Sequence, residues 1–417
     1  MKTNSGLRNV LVLFPLWLGV LTGIALAADQ CLECHSSWEE GLDAPSVQFQ
    51  QDIHGKAGLS CASCHGGDPT LDDMDAVRKS KGYKGVPGAK EVNQFCASCH
   101  SNPAYMVKFN PSLPTDQLDK YKTSVHGKRL FEQGDTKVAT CISCHTAHSI
   151  QPAAEPTSAV YPINIPKTCA KCHADATYMS GYGITTDQHE KYIRSVHGRA
   201  LLEKKDISAP ACNDCHGNHG ATPPGVTSLS AVCGLCHTLI ADNFAKSPHK
   251  EAFDAMGYPE CETCHSNHLI EKPKMHWVGV SDSSLCVQCH APDDGTGGYL
   301  AAARIYETLV NINSVYNAAL AKTDTADMKG MLVTDERFAL NEVKQAIIHT
   351  GTAVHTFDPE AVSKVAEPGI TSAQNIAVQG EKKIEEYYFR RKGLGIATLL
   401  ITILAIAIYL RIKSIEK

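Results

Sequence analysis

All 18 cysteines of this 417-residue chain fall into nine pairs of one shape. Two residues separate the cysteines of a pair, and a histidine follows at once. The nine sets are Cys31/Cys34/His35, Cys61/Cys64/His65, Cys96/Cys99/His100, Cys141/Cys144/His145, Cys169/Cys172/His173, Cys212/Cys215/His216, Cys233/Cys236/His237, Cys261/Cys264/His265 and Cys286/Cys289/His290. A disulfide scaffold or a row of zinc ribbons explains paired cysteines but leaves the histidine unexplained.

C-x-x-C-H is the signature of covalent haem c attachment. Cysteines at i and i+3 share one face of a helical turn, so both thiols can meet the vinyl groups of one porphyrin. The next residue brings its imidazole beneath the iron. Nine haem c groups are therefore expected, with all 18 motif cysteines in thioether bonds. His35, His65, His100, His145, His173, His216, His237, His265 and His290 are the expected proximal ligands.

Haem attachment follows export, and both ends of the chain fit that route. Residues 1–28 read as a secretory signal: Lys2 and Arg8, an apolar stretch from Val10 to Leu26, then Ala25-Leu-Ala27 before Ala28. An uncleaved anchor is the alternative. The formal charge is −5, and losing Lys2 and Arg8 with the signal takes it to −7. That acidic balance excludes a basic nucleic-acid-binding face.

Leu394 to Leu410 is uncharged over 17 residues. At about 1.5 Å per residue it covers roughly 26 Å, close to a hydrocarbon core of about 30 Å. Arg390, Arg391 and Lys392 precede it; Arg411, Lys413 and Lys417 follow. With both flanks basic, haem attachment sets the orientation: residues 31–290 outside, the tail cytoplasmic. A helical anchor indicates the inner membrane, because outer membranes use barrels. The expected layout is a signal at 1–28, a nonahaem domain of two-haem units at 29–290, a helical region at 291–392, a transmembrane helix at 393–411 and a tail at 412–417.

The haem region repeats internally. Thr115 to Gly127 aligns with Thr186 to Gly198 at an offset of 71 residues, which carries on to Cys141 and Cys212. Ser247-Pro-His249-Lys is a shorter copy and Asp52-Ile-His54-Gly-Lys a degenerate first one. A second histidine follows in C-x-x-C-H-x-x-H form at His148, His219 and His268; the first unit has Gly66-Gly67-Asp68 there instead. Two extra histidines per two haems fit bis-histidine ligation at low potential. His148 lies too close to His145 to reach the far side of its own porphyrin, so it is expected to serve a neighbouring haem. The candidate distal ligands are His54, His126, His148, His197, His219, His249, His268, His355 and His349. His189 is the poorest of the rest, since its repeat partner is Leu118, and His276 beside Trp277 is undecided. Met106 and Met179 recur at one offset and suggest packing. The acidic run Asp68, Asp72, Asp73 and Asp75 suggests a solvated loop more than a calcium site.

After about Gly298 the cysteines stop and helical periods begin. Ala301, Ile305, Leu309 and Ile312 form one stripe; Leu340, Val343, Ile347 and Val354 form another. A third helix is expected from about Thr371 into the membrane span, with Asp358-Pro359 and Pro368-Gly369 as breaks. His349 and His355 lie on the second helix, His355 on a face with Ile348 and Gly351 that points inward. The fold class is mainly α with much irregular loop: a multihaem cytochrome c with a haem-packed core, a C-terminal helical bundle and one transmembrane helix.

The motif order and the C-terminal helices that offer a histidine resemble the superfamily of hydroxylamine oxidoreductase, octahaem tetrathionate reductase and pentahaem nitrite reductase. The lysine-bearing catalytic motif common in the pentahaem nitrite reductases is absent. The repeat units and anchor are similar to membrane-bound periplasmic cytochromes of quinol-oxidising complexes. That resemblance implies a membrane partner of cytochrome b or iron–sulfur type that handles the quinol, and periplasmic cytochromes as acceptors. The leading expectation is an electron relay rather than an enzyme. The alternative is an oxidoreductase acting on a small nitrogen or sulfur compound at a five-coordinate haem. No catalytic residue is assigned: nucleophile–base pairs, phosphate loops and nucleotide motifs do not occur.

Overall fold

Each cysteine motif begins on a helix or a helical turn, and its own residues make that turn. In Cys61–His65, Cys141–His145 and Cys212–His216 the helix starts at the first cysteine and stops at the histidine. A side chain between the two cysteines reaches back to cap the start. Ser63 Oγ accepts from Ser60 N at 3.0 Å, Ser143 Oγ from Thr140 N at 3.0 Å, and Asp214 Oδ2 from Ala211 N at 2.7 Å. The residue after the histidine then takes positive φ with ψ near 180°. This occurs at Gly66 (φ 68°), Thr146 (φ 68°), Gly217 (φ 80°) and Ser266 (φ 62°). That backbone region belongs almost wholly to glycine and costs other residues on the order of 1–3 kcal/mol. Thr146 and Ser266 occupy it nonetheless, which turns the chain sharply toward His148 and His268.

The computed structural model describes residues 29–37, 44–223 and 229–416. The signal read at 1–28 lies outside the described residues, as does the end of the Thr222-Pro-Pro-Gly loop. Among the described residues there is no strand. The chain forms two compact units. One holds the residues up to Leu118 with Gln133–Ser158; the other holds Asp119–Glu132 with Ala159 onward.

The repeat is structural as well as sequential. The residue before each of the first three upstream histidines, His54, His126 and His197, donates its backbone N–H to the residue two beyond a later C-x-x-C-H-x-x-H histidine. The bonds are Ile53 to Ile150 O at 2.8 Å, Val125 to Ala221 O at 3.1 Å and Val196 to Ile270 O at 2.8 Å. The glycine after the histidine permits a tight crossing: a Cβ on Gly127 would sit 1.9 Å from Tyr121 O, and one on Gly198 2.0 Å from Tyr192 O.

Three long helices close the second unit: Gly298–Met328, Thr334–Ala353 and Pro359–Ile415. They share a side-chain core of Ala319, Leu340, Val343, Ala373 and Ile376, with a second cluster of Ile305, Leu309, Ala353 and Val362. On the first stripe Ala302, not Ala301, is buried. The expected break at Pro368-Gly369 does not occur, and the third helix starts at Pro359 rather than Thr371. Asp358 caps it, accepting from Glu360 N at 2.9 Å. A proline inside a helix costs about 3 kcal/mol, but the packing here outweighs it. A Cβ on Gly369 would lie 2.6 Å from Ala346 Cβ, so the glycine lets the helices approach closely instead of ending one. Beyond Phe389 the same helix leaves the bundle with its side chains exposed. It is long and apolar enough there to cross a membrane.

Candidate functional site

Seven motif histidines face a second histidine at nearly one distance. Ring centres are 5.9 Å apart for His54 and His100, 6.0 Å for His65 and His148, and 6.1 Å for His126 and His173. They are 6.2 Å apart for His197 and His237, 5.8 Å for His216 and His268, 5.9 Å for His249 and His290, and 6.0 Å for His265 and His355. A metal–imidazole bond is about 2 Å, and a ring centre lies roughly 1.1 Å behind its nitrogen, so two imidazoles on opposite sides of one iron place their centres about 6 Å apart. The residues therefore fit a bis-histidine haem iron at each of these pairs.

The electrostatics agree. Burial, and then the opposing imidazole, lowers the pKa of His100, His126, His148, His197, His249 and His268. Burial likewise lowers His355. A lowered histidine pKa favours the neutral ring, whose lone pair binds metal. The other ring nitrogen is held in several cases. His65 Nδ1 is 3.0 Å from Gly85 O, His216 Nδ1 is 3.2 Å from Thr222 O, and His355 Nδ1 is 3.2 Å from Thr352 O. Such bonds orient the imidazole and set which nitrogen is free.

The pairing follows a rule. Each upstream histidine skips the motif that follows it and faces the next: His54 skips His65, His126 skips His145, His197 skips His216 and His249 skips His265. The histidine of C-x-x-C-H-x-x-H points backward by two motifs, His148 to His65 and His268 to His216. It reaches not the adjacent motif but the one before. No C-x-x-C-H-x-x-H lies far enough downstream to serve His265, and there His355 faces it.

The thiols form a second pattern. First cysteines lie side by side in the pairs Cys96/Cys141, Cys169/Cys212 and Cys233/Cys261, and Cys31 and Cys61 both lie beside Asp29. Asp29 caps both motifs, accepting from Cys31 N at 3.1 Å and Cys61 N at 3.0 Å. Second cysteines meet the motif on the other side: Cys64 lies near Cys99, Cys215 near Cys233 and Cys236, and Cys264 near Cys286 and Cys289. Burial pushes Cys61 up to about 12 and Cys264 up to about 11. Within each unit, successive motifs thus touch alternately through their first and their second cysteines.

The 18 cysteines differ in exposure: Cys34, Cys215, Cys236, Cys264 and Cys289 are exposed and the others half-buried. Cys34 is exposed on the helix Gln30–Ser36, in the first of the nine motifs. Cys144, half-buried in Cys141–His145, belongs to the last motif of the first unit. Cys172, half-buried in Ile165–His173, belongs to the first complete motif of the second.

His35 sits on the helix Gln30–Ser36, His145 ends Cys141–His145, and His219 follows Cys212–His216. The remaining candidates fare differently. His355 leaves the second long helix on a tight turn, Val354–Thr356. The face assigned to it was wrong, because Ile348 is 59% exposed; the turn, not the helix period, aims the ring. His349 is exposed and lines a cleft of about 600 Å³ with Leu239, Asn243 and Glu342. Among the described ring contacts none involves His349, His189 or His276. Met106 and Met179 are both buried. Asp68 accepts from Thr70 and Lys81, Asp73 from Asp75 N, and Asp75 pairs with Arg78.

The sequence is similar to known proteins along part of its length. Residues 53–174 match the family described as cytochrome c3, and residues 254–295 match the doubled CXXCH motif. Over 128 residues, 30% of the chain, it is 30% identical to the C-type polyheme cytochrome OmcB of Geobacter sulfurreducens, equally in two strains. The chain spans 14% of the length of these curated relatives. No solved structure matches it.

Proposed function

We propose that the chain is a multihaem c-type cytochrome working as a membrane-anchored, nine-haem electron relay. Haem iron alternates between ferric and ferrous states and so takes up and passes on single electrons. All 18 motif cysteines bond the porphyrins, with Cys34, Cys144 and Cys172 in the same role as the rest despite their different surroundings. The nine motif histidines serve as proximal ligands. His54, His126, His148, His197, His249, His268 and His355 serve as distal ligands to the motifs they face, with His219 in the same role by its place in the repeat. The single observation that carries the reading is the overlapping order of the histidine pairs. Nearly every ligand bridges across a neighbouring motif, and the thiols of successive motifs touch. A chain built this way holds its irons close and fixes their sequence, which a relay needs and a lone redox centre does not.

The exposed apolar end of the third long helix supports anchoring in the inner membrane with the haem region in the periplasm. The donor would be a quinol-oxidising membrane subunit of cytochrome b or iron–sulfur type, and the acceptors periplasmic cytochromes. The full chain, purified from membranes of a host that attaches haem c, is expected to carry nine haems by intact mass. Its oxidised electron paramagnetic resonance spectrum should be low-spin for the eight irons given two histidines here, and His355→Ala should convert one further haem to high-spin. Fewer than nine haems, or no new high-spin signal in the variant, would sink this assignment. A strong high-spin signal in the unaltered protein would favour small-molecule chemistry at an open iron.

A further inference from the structure

The four upstream histidines occupy one place in the repeat, but the residue two positions before them is not constant. It is Ser124, Ser195 and Ser247 before His126, His197 and His249, and Asp52 before His54. All four are buried, Asp52 to 1% exposure. The serines turn back onto their own backbone. Ser124 Oγ donates to Tyr121 O at 2.6 Å and accepts from Gly127 N at 2.9 Å; Ser195 Oγ donates to Tyr192 O at 2.7 Å and accepts from Gly198 N at 3.0 Å; Ser247 Oγ donates to Phe244 O at 2.7 Å. At the third of these sites the histidine's inner nitrogen, His249 Nδ1, is buried with no hydrogen-bond partner.

Asp52 does something else. Its Oδ1 accepts from His54 N at 2.8 Å and lies 2.9 Å from His54 Nδ1, while its Oδ2 accepts from Ile150 N at 2.6 Å. The carboxylate takes the Nδ1 proton of His54 as a hydrogen bond and leaves Nε2 for metal. The other carboxylate on a paired histidine, Asp294 at 3.2 Å from His290 Nδ1, is 19% exposed and shared with Thr296.

We infer that Asp52 tunes the iron site of Cys96, Cys99, His100 and His54, lowering its reduction potential below the value a serine would give. This rests on the bis-histidine reading above. Two effects act with one sign. A hydrogen-bonded carboxylate makes the imidazole a stronger donor, which favours ferric over ferrous iron. A fixed negative charge in a buried setting also opposes the arrival of an electron far more than it would in water. Motifs touch this site on both sides, at Cys64 and at Cys141, so a low-potential member here is a step that electrons must climb in the first unit.

The test is a potentiometric titration of the full-length, haem-loaded protein, followed by its low-spin resonance signals. Asp52→Ser installs the residue the repeat uses elsewhere, with a hydroxyl able to cap as Ser124 does. Asp52→Ser and Asp52→Asn are each expected to move one haem's worth of signal to higher potential. Ser195→Asp should move one haem's worth, that of His197 and His237, to lower potential. An unchanged titration in Asp52→Ser with its low-spin spectrum intact overturns the inference. If that variant does not load haem, Ser195→Asp decides, and no downward movement there overturns it equally. His54→Ala tests the reading beneath: one new high-spin haem is expected, and its absence discards the ligand assignment whatever Asp52 does.

Discussion

Among the described residues, twelve apolar side chains are buried between Asp29 and Gly297, and fourteen between Gly298 and Ile376, a stretch less than a third as long. Both apolar clusters belong to the C-terminal helices. The bundle is thus an ordinary protein core, in which Ile305, Leu309, Ile312 and Val343 exclude water. The motif-bearing stretch instead brings half-buried histidines and thiols together in pairs, and its helices are mostly a turn or two long. Isolated helices of that length are unstable in water. In the proposed relay the chain supplies the ligands and the porphyrins supply the apolar mass.

The sharpest way to break this comparison is to withhold haem. Made in a host that cannot attach it, the protein is expected to lose protection from hydrogen exchange throughout 29–290 while the bundle helices between Gly298 and Tyr388 keep theirs. Equal protection in the two regions would show that the motif stretch has a core of its own. The bundle is probed next. Ile312 is fully buried, and Ile312→Ala should cost about 2–5 kcal/mol in chemical denaturation of the bundle, with the visible haem bands unaltered. A change in those bands would mean that the two regions do not divide the labour as described. The smallest effect is at a strained turn. Thr146→Gly relieves a glycine-only conformation and should stabilise the haem-loaded first unit by about 1 kcal/mol, seen as a higher midpoint in thermal melts.

Much of the site was legible in the residues. C-x-x-C-H is rigid local chemistry: the thiols, the histidine and the helical turn that holds them lie within five residues, so spacing alone identifies them. What spacing did not show is which thiols lie exposed, Cys34, Cys215, Cys236, Cys264 and Cys289, and which are half-buried. The 71-residue offset marked His126 and His197 as equivalents, and the C-x-x-C-H-x-x-H form marked His148, His219 and His268. Their partners were not legible, because a ligand that skips a motif is placed by where separate turns meet. His355 was chosen for a reason that failed, since Ile348 on its supposed inner face is exposed; a tight turn after Ala353 aimed the ring. His349, earlier on the same helix, faces a cleft. Pro368-Gly369 read as punctuation and became a point of close packing.

What the amino-acid order determined by itself is therefore the local chemistry: which residues bond the porphyrins, which histidines are spare, and which helix is apolar enough for a bilayer. Each depends on neighbours a few residues apart or on a repeat that copies them. The tertiary structure alone decided which imidazoles face one another, which cysteines of successive motifs lie close, and that a buried Asp52 stands where its repeats keep a serine against their own backbone. Those outcomes depend on distances between segments far apart in sequence, and no local spacing encodes such distances.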